Sequence, residues 1–212
     1  MSVADIWRDV GGRVGFFTKE TRSSIPEVAG CYAWFLPLWI YTEDLPELVR
    51  IVHKLQLYDP TTNDVGWRDA NLDFVWDSIA VRTSRRPYPR RISSRTLSDW
   101  QRVLASPELR TAFEHALMEA TILMPPLYVG KASSLSARYE QHVKGVGLEA
   151  NVFHSRFSEF ARRLHLPLAV SDLLFVCIIT DSFTDRVLRD QELNDLLEAV
   201  MKLLCRPAFG MR

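Results

Sequence analysis

Three side chains in the second half of the sequence have the types and spacing that phosphate chemistry requires. They are Lys131, Arg138 and His142, and they follow or extend the segment Tyr128-Val129-Gly130. A guanidinium can bind a phosphate through two parallel hydrogen bonds, and an imidazole can move a proton near neutral pH. Arg138 and His142 are four residues apart, so on a helix they share one face. The spacing therefore predicts a cation beside a proton-transfer group.

A short strand followed by a helix must position these groups. Pro125 and Pro126 end any preceding helix, and residues 127–129 are apolar, aromatic and β-branched types that favour a buried strand. Ser133 or Ser134 is suited to cap a helix that begins just beyond the strand.

Hydrophobic periodicity predicts the other elements. Residues 30–40 and 173–179 are predicted to form two further strands, and helices are predicted at residues 3–10, 43–57, 67–81, 97–104, 107–122, 151–164 and 184–204. These elements predict an α+β fold. We expect a small antiparallel three-stranded sheet flanked by helices, with a long, mainly helical insertion between the first two core strands. The expected organisation is a lead-in and first strand (residues 1–40), the insertion (41–122) and the rest of the core (123–212).

The composition disfavours several classes of protein. Basic and acidic residues number 26 each, so any binding to nucleic acid must come from local patches. Cys31, Cys177 and Cys205 lie apart in apolar surroundings, which disfavours a disulfide framework or a zinc cluster and favours a reducing compartment. The sequence shows neither a signal-peptide pattern nor an apolar run long enough to cross a bilayer. We therefore expect a cytoplasmic protein without a membrane partner.

A wider, ordered set of residues resembles the GIY-YIG endonuclease superfamily. The set comprises Gly30-Cys31-Tyr32 on the first strand, Tyr128-Val129-Gly130 on the second, Arg138, and Glu198 on the last helix. It is closest in motif to the N-terminal nuclease domain of the excision-repair endonuclease. That domain shares the run from Tyr128 to Ala132 with the following Leu135 and Arg138, and a glutamate nine residues before a proline, as Glu198 precedes Pro207. His142 is more similar to the homing and restriction members.

The resemblance implies a metal-dependent DNA endonuclease that leaves 5′-phosphate and 3′-hydroxyl ends, with a first expectation of bacterial defence or restriction. Glu198 is the expected ligand of one divalent ion, Mg²⁺ or Mn²⁺, since a single carboxylate completed by water suits Mg²⁺. Arg138 is expected to clamp the scissile phosphate. Family precedent makes Tyr32 the base and places Tyr128 beside the phosphate, while Lys131 and His142 are further candidates to position or deprotonate the water.

Each of these residues also has a simpler interpretation. In this interpretation, Tyr32 and Tyr128 are half-buried aromatic side chains of strands. His142 is a histidine on the surface of a helix, and Glu198 is an exposed carboxylate on a helix. A second hypothesis is a DNA-binding or assembly module that keeps the fold without turnover and needs a partner protein. Gly210 favours it, because the family has an asparagine at that position.

Residues 33–127 separate the two triplets, where the family usually has a short hairpin, and we interpret residues 41–122 within them as an insertion that selects the substrate. Residues 82–95 contain six arginines and no acid. This pattern predicts DNA contacts by Arg82, Arg85, Arg86, Tyr88, Arg90, Arg91 and Arg95. A solvated loop is the alternative. The tryptophans in and beside residues 41–122 suggest that this part of the chain forms a homodimer surface or binds a partner protein of a defence system.

Overall fold

The computed structural model describes residues 12–56, 92–180, 190–205, 207 and 209. The chain divides into two compact units, one formed by Met1–Trp39 with Glu114–Arg212 and the other by Ile40–Phe113. The helices predicted at residues 3–10 and 67–81 lie outside the described residues, as does most of the arginine-rich segment.

The first unit contains a four-stranded antiparallel sheet with the strand order β1-β4-β2-β3. The strands are β1 (Val14–Phe17), β2 (Gly30–Phe35), β3 (Tyr128–Ala132) and β4 (Leu174–Ile179). The prediction of an α+β fold with an antiparallel sheet flanked by helices is confirmed. The prediction of three strands is wrong, because β1 pairs with β4 along its whole length. With only four residues, one of them a glycine, β1 is too short to show a clear alternation.

Six α-helices occur in the described residues. They are α1 (Leu45–Gln56), α2 (Ser94–Ala105), α3 (Pro107–Ala120), α4 (Leu135–Lys144), α5 (Leu148–Arg163) and α6 (Asp190–Cys205). Each overlaps a segment with apolar residues at helical spacing. Helix α6 packs against β2 and β3, and α4 also contacts both strands.

The core of the first unit is a cluster of aromatic rings on one face of the sheet. Trp34 on the central strand β2 is fully buried. Its ring stacks on Tyr139 of α4 at 5.3 Å and on Phe153 of α5 at 6.1 Å, and it meets Phe175 of β4 edge to face at 4.9 Å. These contacts place α4 and α5 on the face of the sheet that bears Trp34. Because side chains alternate along a strand, Tyr32 lies on the same face.

Local hydrogen bonds fix the start and the end of α4. The Ser134 hydroxyl accepts from the Ala137 amide at 3.3 Å, so Ser134 caps the helix, and the Leu135 amide donates to the Val28 carbonyl at 3.0 Å. Gly145 ends the helix with φ 64°, a left-handed conformation that favours glycine. The register of α4 on the sheet is thereby set, and with it the position of every side chain on the helix.

The second unit is helical where the structure describes it. Trp100 of α2 is buried, its indole donates to the Glu43 carbonyl at 2.7 Å, and its ring meets Phe113 edge to face at 5.9 Å. Ser93 caps α2 by accepting from the Thr96 amide at 3.0 Å. Across the described ranges of both units, no helix has the length and hydropathy needed to cross a membrane.

Candidate active site

The register of β2 and β3 places the two sequence triplets side by side. Tyr32 pairs with Gly130, and Trp34 pairs with Tyr128. A Cβ added to Gly130 would lie 2.5 Å from Tyr32 Oη and 2.6 Å from Tyr32 Cζ. Tyr32 therefore extends from the central strand across Gly130 on the edge strand, and only glycine leaves room for it.

The hydroxyl of Tyr32 is hydrogen-bonded to His142 of α4. The distance from Tyr32 Oη to His142 Nε2 is 2.7 Å. Tyr32 is 3% exposed and His142 is fully buried, so His142 is not a helix-surface histidine. Its other ring nitrogen, Nδ1, is buried and finds no hydrogen-bond partner among the described residues. A buried polar atom without a partner lowers the stability of the fold by about 1–3 kcal/mol.

Burial moves the pKa values of this pair in opposite directions. Burial raises the pKa of Tyr32 well above its usual value, and the neighbouring Tyr128 adds to the rise. Burial lowers the pKa of His142 to about 3, and the positive charge of Arg138 acts in the same direction. Both groups are therefore neutral at pH 7, and one proton is shared between their facing atoms.

Arg138 and Tyr128 lie beside this pair. Arg138 is one helical turn before His142 on α4, and its charge lowers the pKa of both Tyr32 and His142. The Tyr128 ring is stacked with that of Tyr32 at 6.1 Å and meets His142 edge to face at 5.2 Å. The fold thus brings Tyr32 of β2 together with Tyr128 and His142 of the later segment, which also carries Arg138.

Lys131 and Glu198 approach from the opposite face of the sheet. Lys131 follows Gly130 on β3, so its side chain points to the face covered by α6, where it pairs with Asp195. This hydrogen bond raises the pKa of Lys131. The Glu198 side chain is only 16% exposed and pairs with Lys202 at 2.8 Å. Glu198 is therefore not the exposed helix carboxylate of the simpler interpretation.

The two groups of residues meet around the edge strand β3. The negative charge of Glu198 contributes to the raised pKa of Tyr32 and also acts on Lys131, although Glu198 belongs to the helix on the other face. Because β3 stands at the end of the strand order, side chains from both faces can approach each other around it. The charge of Glu198 thus acts on residues of both faces.

A polar contact that the sequence did not reveal holds α6 against β2. Asn194 is buried, and its side-chain oxygen accepts from the Thr180 hydroxyl at 2.8 Å. The Cys31 thiol lies 3.6 Å from the Asn194 carbonyl oxygen, and burial raises the pKa of Cys31 to about 11. Cys31 is therefore a protonated packing group rather than a nucleophile. The contact anchors the helix that bears Asp195 and Glu198.

Among the described residues of α6, Asp195 and Glu198 are two carboxylates one helical turn apart that could serve as oxygen donors for a metal ion. No group of three or more His, Cys, Asp or Glu side chains in the described ranges is placed to hold a metal ion. Each carboxylate is paired with a lysine ammonium, Asp195 with Lys131 and Glu198 with Lys202. Hard oxygen donors of this kind fit a Mg²⁺ ion that keeps most of its water ligands.

Of the residues predicted to contact DNA in the second unit, only Arg95 is described. It lies in the first turn of α2 with an exposed side chain, 4.0 Å from Asp99. Arg82, Arg85, Arg86, Tyr88, Arg90 and Arg91 lie outside the described residues, as does Gly210.

Comparison with protein-family models, with curated proteins and with solved structures finds no significant match to this chain. The described residues define a fold class, α+β with a four-stranded antiparallel sheet. The function must therefore be argued from the site.

Proposed function

We propose that this chain is a metal-dependent DNA endonuclease of the GIY-YIG type, which hydrolyses phosphodiester bonds to 5′-phosphate and 3′-hydroxyl ends. The observation that supports this most directly is the position of the Tyr32 hydroxyl, which lies across Gly130, 2.7 Å from His142 and near the charge of Arg138. Hydrolysis needs a proton acceptor for the attacking water and a cation for the charge that develops on the phosphate oxygens. This cluster supplies both.

Tyr32 and His142 together provide the proton acceptor. Because Tyr32 is a neutral phenol at pH 7, it can take a proton from water only as it gives up its own. His142 Nε2, at 2.7 Å, is the acceptor within reach. Arg138 lies beside them to hold the phosphate through its planar guanidinium, and Tyr128 borders the same space.

Glu198 is the proposed ligand of one Mg²⁺ or Mn²⁺ ion, with Asp195 as an additional oxygen donor. The bound cation would supply positive charge for the leaving oxygen. Lys131 and Lys202 neutralise the two carboxylates in the structure and would have to move aside or share them.

The remaining assignments follow from the same proposal. Residues 41–122 would form the insertion that selects the DNA substrate, in a cytoplasmic enzyme of bacterial defence, restriction or DNA processing.

The family asparagine is replaced by Gly210, but the residues just before it have other support. The Phe209 amide donates to the Leu127 carbonyl at 2.8 Å, and its ring packs on Phe153, Phe157 and Phe160 of α5.

Cleavage of plasmid, linear, branched and single-stranded DNA with Mg²⁺ or Mn²⁺, against EDTA, tests the proposal. We expect metal-dependent cleavage with ends that DNA ligase can rejoin. Glu198→Gln and Tyr32→Phe should each lower the rate by about 10²–10⁴-fold. Glu140→Gln is the matched control, since Glu140 also pairs with a lysine four residues later, at 2.9 Å. It should leave the rate unchanged.

A DNA-binding or assembly module without turnover is the alternative, and the lysine pairs of Asp195 and Glu198 favour it because both carboxylates are already neutralised. If no DNA is cut under any condition while Glu198→Ala binds DNA as tightly as the wild type, the enzyme proposal is wrong and the module is supported. Activity that appears only with a co-purified protein would assign the missing part to that partner.

A further inference from the structure

Helix α6, which carries Glu198, has a polar residue at its most buried described position. Among the α6 residues whose side chains are described, 194–205, Asn194 alone is buried, with 5% exposure. An apolar side chain normally occupies the core-facing position of a surface helix. Three leucines of α6, Leu196, Leu203 and Leu204, are instead 59%, 76% and 75% exposed. Apolar burial of these leucines therefore contributes little to the position of the helix, and the contacts of Asn194 become important.

The partner of Asn194 is a threonine at a fixed point of the sheet. The Thr180 hydroxyl donates to the side-chain oxygen of Asn194 at 2.8 Å. Thr180 directly follows β4 and is 1% exposed, and its amide donates to the Ala29 carbonyl at 3.3 Å. That bond extends the pairing of Gly30 with Ile179 by one residue. A buried hydrogen bond has a preferred distance and direction, so it restricts the rotation of α6 more narrowly than apolar contacts do.

This contact lies one helical turn from Glu198. Glu198 follows Asn194 by four residues, so the two side chains share one face of α6. Cys31 of β2 contacts the same turn, with its thiol 3.6 Å from the Asn194 carbonyl oxygen. Cys31 directly precedes Tyr32 along β2. The turn of α6 that leads to Glu198 is therefore held both to the end of β4 and to the strand that carries Tyr32.

We propose that Thr180 and Asn194 are positioning residues for the metal ligand Glu198. The inference rests on the proposed function, because it takes Glu198 to be a ligand of the divalent ion. Any rotation of α6 moves the Glu198 carboxylate, and the hydrogen bond between Thr180 and Asn194 limits that rotation. Mg²⁺ demands nearly ideal octahedral placement of its oxygen ligands. Residues that orient a ligand in this way commonly change metal affinity by about 10–100-fold.

Binding of Mn²⁺ to the full chain without DNA tests the inference without an activity assay. Free Mn²⁺ is measured by electron paramagnetic resonance as the protein is titrated. Thr180→Val keeps the shape of the side chain but removes the hydroxyl, so we expect the Kd for Mn²⁺ to rise by about 10–100-fold. Thr180→Ser keeps the hydroxyl and should bind Mn²⁺ like the wild type.

Thr121→Val is the matched control. Thr121 is also fully buried, and its hydroxyl accepts from the Leu38 amide at 2.9 Å, in a contact that does not involve α6. This variant removes a buried hydrogen bond just as Thr180→Val does. It should lower the midpoint of urea unfolding and leave the Kd for Mn²⁺ unchanged.

A double variant separates positioning from stability. Thr180→Val combined with Asn194→Leu replaces both hydrogen-bond partners by apolar side chains, a change that can leave stability nearly unaltered. We expect this protein to unfold near the wild-type urea midpoint and still to bind Mn²⁺ about 10–100-fold more weakly.

Two kinds of result would overturn the inference, and they are distinguishable. If the folded double variant binds Mn²⁺ as tightly as the wild type, or if Thr121→Val weakens binding as much as Thr180→Val, the positioning role is wrong while the proposed metal site stands. If Glu198→Gln binds Mn²⁺ as the wild type does, Glu198 is not the metal ligand, and both the proposed metal site and the positioning role are wrong.

Discussion

Replacing Gly130 by alanine tests whether the Tyr32 hydroxyl is held in place by the free space over β3. The added methyl group would lie 2.5 Å from Tyr32 Oη, about 1 Å inside an ordinary contact. Tyr32 is buried and its ring stacks on Phe175 at 5.2 Å, so it cannot simply swing away. Overpacking costs about 1–3 kcal/mol, and breaking the bond to His142 leaves a buried nitrogen unpaired at a similar cost. We expect the free energy of unfolding to fall by about 2–6 kcal/mol.

Urea denaturation followed by circular dichroism measures this loss, and a double-mutant cycle assigns its cause. Tyr32→Leu removes the hydroxyl and the ring end but leaves Tyr128 Cε1, which would lie 2.9 Å from the added Cβ, so Gly130→Ala should cost clearly less in that background without becoming neutral. Gly12→Ala is the control, because a Cβ there meets nothing within 4 Å. If Gly130→Ala costs the same with and without Tyr32, to within about 0.5 kcal/mol, the close contact is not what requires a glycine and the reasoning fails.

Two further predictions concern charge. Because the folded pKa of His142 is lowered from 6.5 to about 3, the unfolded chain takes up a proton in this pH range that the native state does not. The stability that neutral His142 contributes is therefore fully present above pH 6.5. The free energy of unfolding falls by about 3–5 kcal/mol as the pH decreases from 6.5 toward 3. In urea titrations, His142→Gln should reduce the loss of unfolding free energy between pH 6.5 and 3, whereas His115→Gln should not. If both variants lose stability with falling pH in the same way, the lowered pKa of His142 is contradicted. Separately, Asp195→Asn should lower the pKa of Lys131 and speed its acylation several-fold, as followed by peptide mass spectrometry, while Lys144 reacts at an unchanged rate. An unchanged rate at Lys131 would show that the ion pair does not control it.

The elements with strong hydrophobic periodicity are predictable from sequence, and the weak ones are not. Strands β2, β3 and β4 combine apolar and aromatic residues over five or six positions, and their predicted positions lie close to the observed ones. Strand β1 does not emerge from the pattern because Val14–Phe17 is short and contains a glycine, so its stability comes from pairing with β4 rather than from its own residues. Its existence depends on a strand some 160 residues later in the chain.

The site is predictable as a set of residues but not as an arrangement. The register that opposes Tyr32 to Gly130 depends on how residues 33–127 return the chain to the sheet, and the intervening sequence does not specify that. Alternation along β3 implies that Gly130 and Lys131 face opposite sides, yet only the packing of α6 shows that Lys131 meets Asp195. The family pattern does not select Asp195, because its spacing to Pro207 differs from that of the expected glutamate. Its position one turn before Glu198 was the available signal.

Arg138 and Glu198 act on the Tyr32 phenol in opposite directions. The charge of Arg138 lowers the pKa of Tyr32 and the charge of Glu198 raises it, although burial and the neighbouring Tyr128 raise it more. Removing the negative charge of Glu198 therefore makes loss of the phenol proton easier, whereas an anion that neutralises Arg138 makes it harder. Because the Tyr32 hydroxyl lies 2.7 Å from His142 Nε2, both changes act on a proton that has an acceptor within hydrogen-bond distance.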